Sequence, residues 1–174
     1  MTQAIVPLPP LRFRRRTLER PALVHYGTAA EYRQHFEREY CRGTIVTFDG
    51  IRVYFAAEKF GHAFYESTSR SGRKDVFSPV RAQRIGWIRH TLEHPDAALF
   101  AGWNKQTHQP DVTRRVAVVY EDFVVIVAMS LRQDRQLKAT FITCYQADNS
   151  IGKIRTSPVW SREECVRELN KNGR

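Results

Sequence analysis

Three runs of β-branched and aromatic residues dominate the hydrophobic pattern of the chain, at 112–121, 123–130 and 137–145. Turn-forming residues bound each run, and only a few residues separate one run from the next. Such a composition favours strands, and short connections favour antiparallel pairing between neighbours. With a shorter apolar run at 97–103 before them, the pattern predicts four consecutive strands in an up-and-down antiparallel sheet.

The last of these strands carries hydroxyl groups beside aromatic rings. Because side chains alternate along a strand, Phe141, Thr143 and Tyr145 share one face in an undistorted strand, and Ile142 and Cys144 share the other. We expect the second pair to face the helices. The first three would then line an open basic groove.

A helix of about three turns is predicted near the start of the chain. Thr28 and Glu31 have the spacing of a capping box, in which each side chain bonds to the other's backbone amide. Aromatic residues then recur every four positions, at Tyr32, Phe36 and Tyr40. Residues at this spacing lie on one side of a helix, so the stripe is a packing surface.

Three further helices are predicted, at 56–67, 78–93 and 161–173. The second has a strong start at Ser78-Pro79 and ends before Pro95, because proline removes a backbone amide. The third opens with a capping box and has a narrow apolar face, which could dock a partner or the domain itself. That face consists of Cys165, Val166 and Leu169.

Two short strands, 44–48 and 51–55, flank Asp49-Gly50, a dipeptide suited to a tight hairpin turn. Helices that precede a run of antiparallel strands indicate an α+β domain. We therefore expect one domain over 28–174, with N-terminal helices packed on one face of a four-stranded antiparallel sheet. The hairpin and a C-terminal helix would be additions to it, and the other sheet face would be free for a ligand.

Residues 1–27 are predicted to form an extended basic arm. Four of the eight prolines lie within its first 21 residues, and Arg12-Phe13-Arg14-Arg15-Arg16 is strongly basic. Proline at this density prevents regular helix or strand. The arm could strap RNA or a partner protein, or it could be a loosely ordered leader.

Composition points to a polyanionic partner. The chain has 28 lysines and arginines against 18 aspartates and glutamates, a formal net charge of +10. Arginine supplies most of this excess, and its planar guanidinium suits phosphate. Three widely spaced cysteines predict neither a disulfide framework nor a zinc site. No signal-peptide pattern or membrane-length apolar run is present, so we expect a soluble cytoplasmic protein without membrane contact.

No phosphate-cradling glycine loop, dinucleotide fingerprint, metal-ligand cluster or close histidine pair of the metalloprotease type is recognised, so we expect no metal and no cofactor. Acid–base cleavage of RNA by its own 2′-hydroxyl fits this inventory, since it needs a base, an acid and cationic donors. His62 is the best candidate, because Lys59 and Glu66 share its side of the predicted helix. A surface histidine without such a role is the simpler alternative.

Several basic residues are candidates for phosphate contact. They are Lys59, Arg73, Lys74, Arg81, Arg84, Arg114 and Arg115. Two of these lie in a basic stretch at 68–75, which could be a flexible lid over a phosphate chain. Thr143 could donate to a phosphate oxygen, and Tyr145 could do the same or stack on a base. The simpler alternative is that they satisfy neighbouring turns at the end of the strand.

Three segments resemble a known family in their order and spacing: Lys59-Phe60-Gly61-His62-Ala63-Phe64, then Val80 to Ile88 with Arg84 before Trp87-Ile88, then Phe141-Ile142-Thr143-Cys144-Tyr145. They resemble the phage-associated barnase–EndoU–colicin–RelE group of RNase domains over about residues 44–160. The resemblance implies helices followed by a four-stranded sheet, and metal-independent cleavage to a 2′,3′-cyclic phosphate. It implies a toxin or phage effector, for which an antitoxin or immunity protein could bind the N-terminal arm or the C-terminal helix.

Carried over residue by residue, the resemblance assigns the helical histidine to His62, the arginine to Arg84 and the hydroxyl residue to Thr143. No glutamate base and no second histidine align, so the division between acid and base stays open. Two other classes remain: a non-catalytic basic module that binds nucleic acid or protein, and a phage structural or regulatory protein whose basic surface meets an acidic protein.

Overall fold

The structure, a computed structural model, describes residues 19–68 and 74–172. Most of the predicted basic arm and the candidate Arg73 lie outside the described residues. The helices are α1 (Ala29–Phe36), α2 (Lys59–Phe64), α3 (Pro79–Ala82), α4 (Ile85–Glu93), α5 (Ile151–Arg155) and α6 (Arg162–Asn172), and a π-helical turn, Glu37–Cys41, continues α1. The strands are β1 (Ile45–Val46), β2 (Arg52–Tyr54), β3 (Tyr65–Glu66), β4 (Val76–Phe77), β5 (Ala98–Phe100), β6 (Gly102–Asn104), β7 (Gln109–Asp111), β8 (Val116–Tyr120), β9 (Phe123–Leu131) and β10 (Leu137–Gln146).

The main sheet is six-stranded, mixed and curled, in the order β1-β2-β10-β9-β8-β5. The α+β class is right, but the predicted four-stranded antiparallel sheet is wrong. Strands β5, β8, β9 and β10 do pair antiparallel, yet β2 adds to β10 in parallel and brings the β1–β2 hairpin into the same sheet. Two small sheets, β3–β4 and β6–β7, lie outside it. The hairpin prediction is confirmed, and Gly50 has the positive φ of 91° that its turn requires.

Both faces of the sheet bury apolar side chains. On one face, α1, α2, α4 and α6 cover a cluster that includes Phe36, Val53 and Phe141. On the other face, Val124 and Ile126 belong to a second cluster under α5. The expectation of a wholly free sheet face is therefore wrong. Near-continuous apolar runs, as in β8 and β9, are typical of strands buried on both sides, and that signal was present in the sequence.

A bulge in β10 changes which side chains share a face. Phe141 pairs with Val127 and Thr143 pairs with Ile126, so Ile142 is an extra residue in the ladder. One inserted residue reverses the alternation beyond it. Phe141 and Cys144 therefore both lie on the helix side, while Ile142 and Tyr145 pack against the second cluster. The prediction is confirmed for Cys144 and wrong for Phe141 and Ile142.

Two predicted helices agree with the structure. Thr28 and Glu31 form both halves of the capping box of α1, and Tyr32 and Phe36 are buried. Helix α6 packs Cys165 and its apolar neighbours against the core. The apolar face of α6 is therefore used within the domain, which leaves its charged side for any partner.

Other helices are shorter than predicted. The helix expected at 56–67 spans only Lys59–Phe64 and runs directly into β3. The one expected at 78–93 is broken into α3 and α4 by a turn at Gln83-Arg84. Both breaks matter for the site, because they release Glu66 and Arg84 from helical positions.

Residues 102–111 contain a small hairpin that the hydrophobic pattern does not predict. Strands β6 and β7 pair antiparallel, and β8 begins only at Val116, so 112–115 is not strand. Helix α5 is likewise not among the predicted helices. Its apolar residues Ile151 and Ile154 cover the second cluster.

The described end of the predicted arm lies against the domain. The indole Nε1 of Trp87 donates to the carbonyl of Pro21 over 2.8 Å, and the amide of Val24 donates to the carbonyl of Gln83 over 2.8 Å. Residues 19–27 therefore fix the start of α4 from outside.

Candidate active site

A cleft of about 370 Å³ opens between β3, α3 and the carboxyl end of β10. Its lining residues are Glu66, Val80, Arg81, Arg84, Phe123, Cys144, Tyr145, Gln146 and Asp148. Three residues predicted from the sequence, Arg81, Arg84 and Tyr145, are thus brought to one place. An apolar wall beside charged groups suits a ligand with a flat ring and a phosphate.

Backbone carbonyls hold the two arginines of the cleft. Arg81 donates from Nη2 to the carbonyl of Cys144 over 2.9 Å. Arg84 donates from Nη1 to the carbonyl of Val80, and its guanidinium carbon lies 5.1 Å from the centre of the Trp87 ring. A guanidinium has five N–H donors, so one carbonyl bond leaves donors free. The buried Nε of Arg84 has no hydrogen-bond partner among the described residues.

Glu66 contributes a carboxylate to the cleft. Its Oε1 accepts a hydrogen bond from the hydroxyl of Ser78 over 3.0 Å, and its side chain is otherwise exposed. Sequence reasoning placed Glu66 on the helix of His62 and not in a binding cleft. The signal for its position was weak, because nothing local shows that α2 ends at Phe64.

Lys74 extends the positive charge beside the cleft. Burial, followed by the charge of Arg81, lowers the pKa of its ammonium group, whereas Glu66 raises it. Two cations and a carboxylate therefore act on one another at this rim. Such a group of interacting charges is typical of functional sites, although structural networks show it as well.

The phenol of Tyr145 is half-buried in the cleft. Burial raises its pKa, and the charge of Arg115 lowers it in part. A phenol with a raised pKa is protonated at neutral pH, so Tyr145 has a proton to donate there.

His62 lies beside the cleft and does not line it. Its imidazole is exposed on α2, while its backbone carbonyl accepts hydrogen bonds from Thr143 Oγ1, over 3.0 Å, and from Lys74 Nζ. The structure therefore connects His62, Thr143 and Lys74, but through the main chain of His62. Thr143 is half-exposed and not buried beneath the helices.

The remaining candidates are scattered. Lys59 opens α2, and Arg114 and Arg115 are exposed just before β8. Arg115 has a positive φ of 56°, and only its charge reaches Tyr145. The described ranges contain no group of three or more histidine, cysteine, aspartate or glutamate side chains that could hold a metal ion.

A close histidine pair was overlooked in the sequence. His90 and His94 stand four residues apart in His90-Thr-Leu-Glu-His94, and their ring centres lie 5.1 Å apart. His94 stacks on Tyr120 at 3.6 Å. The Nε2 atoms of both histidines are buried without a hydrogen-bond partner among the described residues. Arg20 lies beside the pair and forms ion pairs at 2.8 and 2.7 Å with the carboxylates that follow Tyr120.

The histidine pair should make the fold sensitive to acid. Burial lowers the pKa of His90, the charges of His94 and Arg20 lower it further, and Glu121 raises it. Since the folded pKa lies below the unfolded value, this contribution to stability is complete above about pH 6.5 and is lost as the pH falls. We expect the Tm of His90→Gln to decrease less between about pH 7 and 5 than that of the wild type in thermal unfolding. His25→Gln, at an exposed position, is the control and should follow the wild type.

None of the protein-family models, curated proteins and solved structures compared with the chain matches it. The resemblance to RNase domains therefore rests on the sequence segments alone. Within the described residues, no helix has both the length and the apolar character needed to cross a membrane.

Proposed function

We propose that the protein is an endoribonuclease that cleaves RNA through the RNA's own 2′-hydroxyl. One observation carries this proposal: a single cleft holds two carboxylates, a phenol and two arginines. These are the three kinds of group that the reaction requires, namely a base, an acid and cationic donors for the phosphate. A formal net charge of +10 favours the approach of a polyanion.

The cleft residues have distinct roles in this mechanism. Glu66 takes the proton from the 2′-hydroxyl, whose oxygen then bonds to phosphorus. Arg81 and Arg84 donate hydrogen bonds to the phosphate oxygens as negative charge gathers on them. The bond from phosphorus to the 5′ oxygen breaks, and Tyr145 gives that oxygen a proton. The products are a 2′,3′-cyclic phosphate and a 5′-hydroxyl end.

His62 is the alternative proton donor. Its backbone carbonyl bonds to Thr143, next to the cleft residue Cys144, and rotation of its exposed side chain is fast. Tyr145→Phe and His62→Gln separate the two assignments, because each removes one candidate proton. Only the variant that lacks the true donor should lose cleavage activity.

The proposal extends to compartment and partner. The three cysteines are free thiols, which fits a reducing, cytoplasmic setting. An antitoxin or immunity protein with an acidic surface would inhibit such an enzyme by covering Arg81 and Arg84. It would reach the domain through the N-terminal arm or the charged side of α6.

The reaction is tested by incubating purified protein with total RNA and with tRNA in excess EDTA. We expect cleavage, with 2′,3′-cyclic phosphate and 5′-hydroxyl ends at the cut sites. RNA that stays intact with and without EDTA would contradict the proposal, as would ends that carry a 5′-phosphate.

A non-catalytic RNA-binding module is the second candidate. It is favoured by the bonds of Arg81 and Arg84 to backbone carbonyls, which make each arginine partly structural. For this candidate, RNA would be retained in a binding assay and recovered uncut.

A further inference from the structure

Part of the sheet face opposite the helices is open. Val53 of β2 and Ala139 of β10 are buried on the helix side. Because side chains alternate along a strand, their neighbours project to the other face. That end of the face carries Arg52, Tyr54, Lys138 and Thr140. It lies at the opposite end of β10 from the cluster that α5 covers.

An exposed tyrosine lies beside two cations on this open surface. Tyr54 is 37% exposed. The guanidinium carbon of Arg52 lies 5.0 Å from the centre of its ring, and Nζ of Lys138 lies 5.8 Å from it. The parallel register fixes this grouping, since Arg52 pairs with Lys138 and Tyr54 with Thr140.

Within the described residues, neither cation has a carboxylate partner. Among residues 19–68 and 74–172, no carboxylate forms an ion pair with Arg52 or Lys138, whereas Arg33 and Arg162 each have one. An aromatic ring beside two positive charges offers a base a stacking surface and offers neighbouring phosphates two cations.

This surface and the candidate active site share strand β10. Thr140, beside Tyr54, and Tyr145 are four ladder positions apart across the bulge, which is about 13 Å along the sheet. Beyond the bulge Tyr145 packs on the same sheet face as Thr140, against the second cluster.

We propose that Tyr54 stacks on a base of single-stranded RNA, while Arg52 and Lys138 contact the flanking phosphates. The choice of RNA rests on the proposed function, but this site is separate from the cleft and makes no contact with the bond that breaks. It would hold the part of the strand that leads into the cleft.

The test is the affinity of the full chain for a fluorescent single-stranded RNA, measured by anisotropy over a range of salt concentrations. We expect Tyr54→Ala to raise the Kd about tenfold and Tyr54→Phe to leave it nearly unchanged, because stacking needs the ring alone. The double variant Arg52→Ala, Lys138→Ala should reduce the salt slope by about 1.4. Trp103→Ala, which removes an exposed ring on β6, is the control and should bind like the wild type.

Two outcomes would overturn the proposal. One is a Kd for Tyr54→Ala equal to that of Trp103→Ala, and the other is tighter binding of single-stranded DNA of the same sequence.

Cleavage of a dinucleotide, too short to reach both sites, separates this proposal from the proposed function. Tyr54→Ala should cleave it at the wild-type rate. If neither the wild type nor any variant cleaves RNA but Tyr54→Ala still weakens binding, the stacking role of Tyr54 is supported and the proposed nuclease activity is contradicted.

Discussion

Replacing Phe141 by alanine is expected to lower the free energy of unfolding by about 3–5 kcal/mol. Its ring is fully buried, 4.8 Å from the ring of Phe55 and 5.9 Å from that of Phe36. Removing it leaves a cavity in the aromatic cluster between β10 and α1, which the surrounding rings can fill only in part. Urea denaturation followed by circular dichroism measures the loss.

Phe48→Ala is the matched control for this prediction. The same atoms are removed, but Phe48 is 37% exposed beside the β1–β2 turn, so we expect a loss of under about 1 kcal/mol. If Phe141→Ala were no more destabilising than Phe48→Ala, Phe141 would not lie beneath the helices. The bulge at Ile142 would then be wrong, and Phe141 would face an open groove, as strict alternation predicts.

Glu66→Gln is expected to lower kcat for RNA cleavage about 10²- to 10⁴-fold, the usual contribution of a positioned acid or base. The amide has the shape of the carboxylate and can still accept the bond from the Ser78 hydroxyl. It cannot take up a proton at neutral pH. The Kd for RNA should stay the same or decrease, because one negative charge leaves the cleft.

Glu163→Gln, an exposed glutamate on α6, is the control for charge and should cleave like the wild type. A Glu66→Gln variant with unchanged kcat would remove Glu66 from the mechanism. A loss confined to KM would make it a binding residue and not the base.

Local patterns in the sequence predict the elements whose signals lie within a few residues. The capping box at Thr28 and Glu31 and the Asp49-Gly50 turn each specify their structure through neighbouring backbone atoms. The strands at β8, β9 and β10 follow for the same reason. Pairing of β2 with β10 joins residues more than eighty positions apart, and no local pattern encodes it.

The site was predicted in part. Arg81, Arg84 and Tyr145 meet in the cleft, although the strand face of Tyr145 was derived without the bulge at Ile142. Glu66 was assigned to a helix that ends two residues earlier. A bulge and a helix end both depend on tertiary packing, so the alternation and periodicity of the sequence could not supply them.

We propose that RNA occupies the cleft between α3 and β10. Photocross-linking with 4-thiouridine RNA, followed by mass spectrometry of the linked peptides, tests it most directly. We expect cross-links to Tyr145, with a second set at Tyr54 for longer strands. Cross-links to residues outside the cleft alone, with Tyr145 never modified, would contradict the account.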